Sequence, residues 1–493
     1  MFIINTLKWC ALFICTASSF QLQAHKQIRN ELNHLDTYTG ITFKINAKYD
    51  LNFKKGEISV SRNELNSEHI LSDSPYLEQV ELLHPNYKPD AIQVDLSGLN
   101  IRRPKLENWL YIPVTPSLTN AEILEIYNAL VSNKLVSHVD LETAVQSLEL
   151  KGINYCALNE AQCKPEPCTD DKAECSPTPL PTPDLQFHQA YLNNSPYGID
   201  ALHAWTLNAR GQGIRIIDME NGFNERHEDL PTTFVRANDN SNGDHGTAVM
   251  SVLGARNDGQ GVTGIAHNSQ LGFYGWGVNT SRSIREAAGR LRAGDVLLLE
   301  GQISRGNLGD RCNDRSQAEC VPMEWIQANF EAIQDAVWRG VIVVEAAGNG
   351  NEDLDNAVYR GLFNRNVRDS GAFLIAATRR NIDIIRSGFS NHGTRIDFNA
   401  WGDSVAAAGL YGRTLFNGGF NRRYGDGFSG TSSASPIVAG AVALLQSHAV
   451  NRMGRRLNVA QVRETLAKTG VQGPQNAGVG VRPALRQALD AIR

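Results

Sequence analysis

The stretch from Gly430 to Leu445 constrains the fold of this chain more than any other. It opens with Gly-Thr-Ser-Ser-Ala-Ser-Pro and continues as small and apolar residues for too long to be an ordinary strand, which predicts a buried helix. Gly430 permits a sharp turn before this helix, and we expect Pro436 in its first turn. Ser432 is therefore predicted at the helix N-terminus, where unpaired N–H groups and the helix dipole favour negative charge. Because a serine there is usually only a cap, a chemical role for it requires partners elsewhere in the chain.

The length and charge of the chain bound what it can bind. A chain of 493 residues has room for two or three domains, each with its own core. The net charge is −5 and no basic run is concentrated anywhere, so we expect no nucleic-acid partner.

Residues 1–24 are predicted to be a secretory signal. Lys8 precedes an apolar run, and small residues follow near Ala24. The run is shorter than the roughly 20 apolar residues that a membrane anchor needs. We therefore expect a secreted protein, either extracellular or periplasmic, with no membrane span after signal removal.

Six cysteines remain after residue 24, and an even number in an exported chain favours disulfides. Cys312 and Cys320 are close in sequence within one polar loop, so a local bridge between them is predicted. The other four can pair in three ways, between which the sequence does not choose: Cys156, Cys163, Cys168 and Cys175. None of their spacings is the short Cys-x2-Cys kind that is typical of zinc sites, so no metal site is predicted.

Composition divides the rest of the chain into three parts. Residues 25–151 are polar, and a strand, a helix and a strand between Trp109 and Asp140 indicate a small α+β domain. Residues 152–184 alternate cysteine with proline and form a predicted extended linker. Residues 185–493 alternate apolar strands with helices, which indicates an α/β domain with a doubly wound parallel sheet.

Three polar residues in the last part are suspicious because ligands collect at the carboxyl ends of parallel strands. Asp218 follows an apolar strand, His245 opens a helix, and Asn349 ends a strand. Each alone could be an ordinary turn or capping residue. Together with Ser432 they form a complete set: a nucleophile, its base, a carboxylate that orients the base, and an amide donor for an oxyanion.

The order Asp, His, Ser excludes the α/β-hydrolase and chymotrypsin orders. In that order residues 185–493 resemble the subtilisin family (subtilases) of serine peptidases. The matching motifs are Ile216-Ile217-Asp218, His245-Gly246-Thr247, Ala347-Gly348-Asn349 and Gly430-Thr431-Ser432-Ser433-Ala434-Ser435-Pro436.

The resemblance implies a serine endopeptidase that hydrolyses peptide bonds of protein or peptide substrates through an acyl-enzyme. It assigns Ser432 as nucleophile, His245 as general acid and base, Asp218 as orienting carboxylate and Asn349 as oxyanion donor. It also implies that residues 25–151 are a propeptide that inhibits the enzyme within its own zymogen, although a separate binding domain is the alternative. No cofactor is required, and a structural calcium, as in many family members, is left open. A degenerate binding module and an acyl-transferring enzyme are the rival functions.

Two departures from the family pattern bear on specificity. Met219-Glu220-Asn221-Gly222 follows the aspartate, where a small residue and glycine are usual. Leu299-Glu300-Gly301-Gln302 replaces the usual Ser-Leu-Gly beside the primary specificity pocket, so Glu300 and Gly301 are candidate substrate-binding residues. A carboxylate in that pocket would favour basic side chains, unless Glu300 points into a local hydrogen-bond network.

Overall fold

The computed structural model describes residues 27–32, 37–61, 67–69, 76–85, 87, 94–147, 181–239, 241–306, 312, 317–473 and 478–492. The predicted signal at 1–24 lies outside the described residues. So do most of the predicted linker and its four cysteines at 156, 163, 168 and 175.

The N-terminal part is a four-stranded antiparallel sheet with one helix packed on it. Its strands are β1 (Tyr38–Ile45), β5 (Glu81–Leu82), β6 (Trp109–Pro113) and β7 (Val136–Thr143), in the order β5-β6-β1-β7, and its helix is α1 (Asn120–Ser132). Thr119 and Glu122 cap the helix reciprocally. The apolar faces of the sheet and the helix enclose a separate core, in which Phe43 of β1 lies between its partners Leu110 of β6 and Val139 of β7. A small three-stranded sheet accompanies it, made of β2 (Asp50–Lys54), β3 (Glu57–Ser61) and β4 (Ser67–His69).

A nine-stranded sheet forms the centre of the molecule. Its strands are β9 (Arg215–Met219), β10 (Arg236–Ala237), β11 (Gln270–Tyr274), β12 (Val296–Leu299), β15 (Ile342–Ala346), β16 (Phe373–Thr378), β17 (Phe398–Trp401), β21 (Val471–Gln472) and β22 (Val481–Arg482). Their order in the sheet is β10-β11-β9-β12-β15-β16-β17-β22-β21. All pairings are parallel except that between β21 and β22. The predicted α/β class with a parallel sheet is confirmed. The interior strands are buried on both faces, as their unbroken apolar runs indicate.

Helices cover both faces of this sheet. They are α2 (Ala201–Thr206), α3 (Asp244–Gly254), α4 (Thr280–Ala288), α5 (Gln327–Trp338), α6 (Thr431–Met453), α7 (Val459–Thr469) and α8 (Leu485–Asp490). The shorter strands outside the central sheet are β8 (Gln146–Ser147), β13 (Gly301–Ser304), β14 (Cys320–Pro322), β18 (Val405–Ala408), β19 (Thr414–Asn417) and β20 (Arg423–Phe428).

The predicted buried helix is α6, in which every residue from Thr431 to Ala449 is buried. Among the described residues it is the one helix long and apolar enough to cross a membrane, and 94% of its apolar window is buried inside the protein. Gly430 has φ 114°, a conformation that side chains disfavour, as the predicted sharp turn requires. The placement of Pro436 in the first turn was wrong, because the helix begins at Thr431 and the proline is its sixth residue. Pro436 therefore leaves the Ser432 carbonyl without its usual helical donor.

The N-terminal part lies against the central domain through buried polar contacts. Lys44 Nζ lies 2.6 and 2.7 Å from the two carboxylate oxygens of Glu331 on α5, and Trp109 Nε1 donates to the same carboxylate at 2.9 Å. Asn279, which caps α4, donates to Glu142 Oε2 at 2.7 Å. β8 pairs antiparallel with β13, so that Ser147 faces Gly301 and Gln146 faces Gln302.

Candidate active site

The carboxylate that contacts His245 belongs to Glu220. Glu220 is the first residue after β9 and is wholly buried, and its Oε2 lies 2.5 Å from His245 Nδ1. Its other oxygen accepts the Asn221 backbone N–H at 2.6 Å. The start of α3 packs closely on this turn, because a Cβ at Gly246 would meet Gly222 O at 2.3 Å and Glu220 Cγ at 2.9 Å. Only a glycine at position 246 lets the histidine approach the carboxylate this closely.

Asp218 does not have the place that the sequence predicted, because the carboxylate at His245 Nδ1 is that of Glu220. β9 does not end at Asp218 but continues to Met219, and Asp218 pairs with Leu298 of β12 and Phe273 of β11. Alternate residues of a strand point to one face, so Asp218 and Glu220 share a face, but Glu220 is about 7 Å nearer the edge where His245 lies. Neither carboxyl oxygen of Asp218 has a hydrogen-bond partner among the described residues.

The sequence did contain a signal for Glu220. In the family pattern the aspartate is followed by a small residue and glycine, and Glu220-Asn221-Gly222 has that spacing with glutamate as the acid. Counting back from Gly222, which has φ 76°, finds the carboxylate that the Ile-Ile-Asp match missed.

Ser432 lies buried in the first turn of α6, which packs against α3. The turn before it brings Phe428 against the imidazole of His245, with ring centroids 5.4 Å apart in an edge-on arrangement. The neighbouring Ser433 points away, since its hydroxyl donates to the carbonyls of Trp401 and Gly430, both at 3.0 Å.

Asn349 is fixed beside Ser432 through Thr431. Its Oδ1 accepts the Thr431 backbone N–H at 2.9 Å and the Thr431 hydroxyl at 3.0 Å. Gly348, which has φ 93°, donates its own N–H to that hydroxyl at 3.2 Å. These contacts join the end of the β15 segment to the first residue of α6. The structure thus brings Asn349 and the Ser432 turn together, as the sequence predicted.

The two candidate substrate-binding residues, Glu300 and Gly301, have different surroundings. The Glu300 side chain is wholly buried and its Oε1 accepts the Ser435 hydroxyl of α6 at 2.5 Å, so the carboxylate takes part in a local hydrogen-bond network. Gly301 begins β13, where a Cβ would meet Val145 Cγ1 and Trp276 Cζ2, both at 2.7 Å. Gly301 thus lies under the strand that crosses this edge.

Burial dominates the electrostatics of the acidic residues behind the histidine. Burial raises the pKa of Asp218 well above its ordinary value, and the charge of Glu220 raises it further. Burial, and then the Asp218 charge, raise the pKa of Glu300 well above its ordinary value, while the Ser435 hydrogen bond lowers it. Burial therefore disfavours the charged form of both the Asp218 and the Glu300 carboxyl groups.

The remaining predicted residues lie around this site. Cys312 and Cys320 are joined in a disulfide, and Cys320 begins β14 beside β13. In the acidic loop after Asn349, Asp355 accepts the backbone N–H and the hydroxyl of Thr394 at 2.8 and 2.6 Å. Within the described ranges no cluster of three histidine, cysteine or acidic residues is arranged to hold a metal ion.

A buried serine at a helix N-terminus, a histidine against a carboxylate and an anchored asparagine, all on a parallel α/β sheet, are typical of serine peptidases. The family model described as the subtilase family matches residues 136–481, and the chain belongs to this family. It is a subtilisin-like serine endopeptidase.

Relatives agree with this membership, and a solved structure is similar in fold. The chain is 25% identical over 301 residues to the major intracellular serine protease of Bacillus subtilis (strain 168), covering 55% of this chain and 81% of the relative. It is 28% identical over 262 residues to subtilisin Savinase of Lederbergia lenta, covering 51% and 84%. The structure of fervidolysin from Fervidobacterium pennivorans, described as a keratinolytic enzyme related to subtilisin, is similar in fold over 94% of this chain and 62% of its own, with a TM-score of 0.55 and 16% identity.

Proposed function

We propose that this protein is an exported serine endopeptidase, made as a zymogen, whose catalytic set is Ser432, His245, Glu220 and Asn349. The observation that carries the catalytic set is the contact of 2.5 Å between the buried Glu220 carboxylate and His245 Nδ1. A carboxylate at Nδ1 holds the imidazole in the tautomer whose Nε2 can take a proton.

The chemistry follows from these positions. His245 Nε2 takes the Ser432 proton as the serine Oγ attacks the carbonyl carbon of the scissile peptide bond, and Glu220 stabilises the resulting imidazolium. The side-chain amide of Asn349 and the backbone N–H of Ser432 donate to the oxyanion. His245 then protonates the leaving amine, and water releases the acyl group by the same steps in reverse.

The pairing of β8 with β13 supports the zymogen. The chain from the N-terminal part crosses β13 antiparallel at Gly301, adjacent to Glu300, whose carboxyl contacts the first turns of α6. A substrate strand would use the same backbone groups, so the precursor's own strand excludes it. We propose that the processing site lies within the few residues that follow Ser147.

Export is proposed from the signal-like residues 1–24 and from the disulfide between Cys312 and Cys320. Some relatives are named as intracellular enzymes, so the destination requires its own measurement. Sequencing the N-terminus of the mature protein from culture medium, periplasm and cytoplasm identifies both the compartment and the processing site.

The test of the catalytic proposal is Ser432→Ala, with Ser433→Ala as the matched control one residue away. We expect Ser432→Ala to leave a full-length precursor and to lose turnover by about 10^6-fold, a size known for subtilisin itself. It should also lose labelling by a fluorophosphonate, whereas Ser433→Ala should mature and label. Maturation of purified Ser432→Ala by its own activity would contradict the assignment, and an acyl-transfer product with an added amine would redirect it to a transferase.

A further inference from the structure

The side-chain amide of Asn349 is held at both ends. Its oxygen accepts the N–H and the hydroxyl of Thr431, and its Nδ2 donates to Gln317 Oε1 at 3.2 Å. A second glutamine, Gln302, accepts the Asn349 backbone N–H at 2.8 Å through its Oε1. Since donors meet the oxygen and an acceptor meets the nitrogen, these partners determine which way round the amide lies.

Gln317 lies in the disulfide-closed segment between Cys312 and Cys320, whose described end, residues 317–320, packs on the loop that carries Asn349. The Glu319 N–H donates to Gly350 O at 3.2 Å, and a Cβ on Gly350 would meet Cys320 O at 2.2 Å, so the two backbones are in direct contact. Asn391 joins them, donating from its Nδ2 to Cys320 O at 2.9 Å and to Ala347 O at 2.7 Å.

Gln317 is held in an unfavourable conformation. Its φ is 52°, in the left-handed region that residues other than glycine seldom adopt, and its side chain is buried. Such strain persists only where surrounding contacts enforce it, and it is concentrated at functional sites. The strain therefore points to a role for the Gln317 side chain that a relaxed loop would not supply.

We infer that Gln317 is a positioning residue for the oxyanion donor, kept in place by the Cys312–Cys320 disulfide. The terminal torsion of an asparagine is soft, so the Thr431 contacts alone leave the amide free to rock about its oxygen. By accepting one Nδ2 hydrogen, Gln317 fixes the amide plane in which the other hydrogen is directed to the oxyanion. Donors stabilise the transition state only when they are already aimed at it. The inference rests on the proposed role of Asn349, through whose side-chain amide Gln317 acts.

The first test compares Gln317→Met, which keeps the length of the side chain and removes the acceptor, with Gln334→Ala on α5 as a control. We expect Gln317→Met to lower kcat roughly 3–10-fold, the size of one neutral hydrogen bond, with KM within about twofold. Gln334→Ala should change neither constant. The Cys312→Ser and Cys320→Ser double variant should lose kcat in the same range.

A double-mutant cycle separates positioning from a merely structural role. The readout is the first-order rate at which each refolded precursor cleaves itself, since its own strand is already paired with β13. Asn349→Ala should slow this step by about 10^2–10^3-fold, and adding Gln317→Met to it should change the rate by less than about twofold. If Asn349→Ala is as fast as wild type, the proposed oxyanion assignment fails. If Asn349→Ala is slow but Gln317→Met is unchanged, faster, or multiplies the loss in the double variant, the inference about Gln317 alone is overturned.

Discussion

Replacing Glu220 by glutamine is the sharpest perturbation that this site offers. The pair is nearly sealed from solvent, with Glu220 wholly buried and the histidine side chain 6% exposed, so no water replaces the lost charge. The Asn221 N–H holds the amide oxygen, which turns the amide NH2 towards His245 Nδ1. The imidazole must then accept at Nδ1 and carry its proton on Nε2, where it cannot take the serine proton.

We expect Glu220→Gln to lower kcat by about 10^4-fold, the loss known for removing this carboxylate in serine peptidases of this and the chymotrypsin type. That loss corresponds to about 5.5 kcal/mol of transition-state stabilisation. KM should stay within a few-fold, because Glu220 contacts the histidine and its own turn. The assay is kcat and KM on a chromogenic peptide, normalised by active-site titration and measured from pH 6 to 9.

Asp218→Asn is the matched control for this measurement. Asp218 is equally buried and lies two residues away on the same face, and neither of its carboxyl oxygens has a hydrogen-bond partner among the described residues. Burial raises its pKa and so disfavours its charge, and a neutral amide of the same shape should change kcat by less than about fivefold. If Asp218→Asn abolishes activity while Glu220→Gln retains it, the reading of this site is refuted and the aspartate is the orienting residue after all.

Two further predictions concern the zymogen and the packing behind the histidine. Burial raises the pKa of Glu142, which accepts from Asn279, to about 8, so the bound propeptide holds a proton that it gives up on release. The affinity of the enzyme for its propeptide is therefore greatest at low pH and should fall up to tenfold per pH unit between pH 6.5 and 8. Glu142→Gln should flatten this slope. Burial lowers the pKa of His84 well below its ordinary value, so this group does not account for a change between pH 6.5 and 8. The measurement is the activity released from the complex of enzyme and cleaved propeptide at each pH. Gly246→Ala should destabilise the protein by about 1–3 kcal/mol in urea unfolding and lower kcat, because its Cβ meets Gly222 O. Gly388→Ala, with no atom within 4 Å of the added Cβ, should do neither, and equal effects of the two substitutions would contradict the steric argument.

The structural elements that the sequence predicts well are those with a strong local pattern. Helix α6 follows from its apolar length, and β12 from four consecutive apolar residues. The helix that opens near His245 and the turn at Asn349 follow from motifs of adjacent residues. The central sheet follows from the alternation of such segments.

The misplaced residues depend mainly on contacts between distant segments, although the Glu220-Asn221-Gly222 spacing was a local signal that the Ile-Ile-Asp match did not use. Whether β9 ends at Asp218 or Met219 is decided by its pairing with β11 and β12. The carboxylate at the histidine comes from Glu220, the residue that follows the strand. The direction of Glu300 depends on Ser435, which is distant in sequence. The sequence did not indicate Gln317, because its contact with Asn349 forms only when the segment after Cys312 packs on the backbone of Gly350.

The strand β13 is covered on both sides in the precursor, by β14 on one edge and by β8 on the other. An open strand edge accepts any extended chain, including one from another molecule, and is a recognised route to aggregation. Removal of β8, which substrate binding requires, leaves that edge of β13 exposed in the mature enzyme. In this protein β8 therefore both keeps the precursor inactive and protects it from aggregation. A concentrated preparation of the mature enzyme should lose molecules to self-digestion and to edge-to-edge association unless a peptide occupies the free edge of β13.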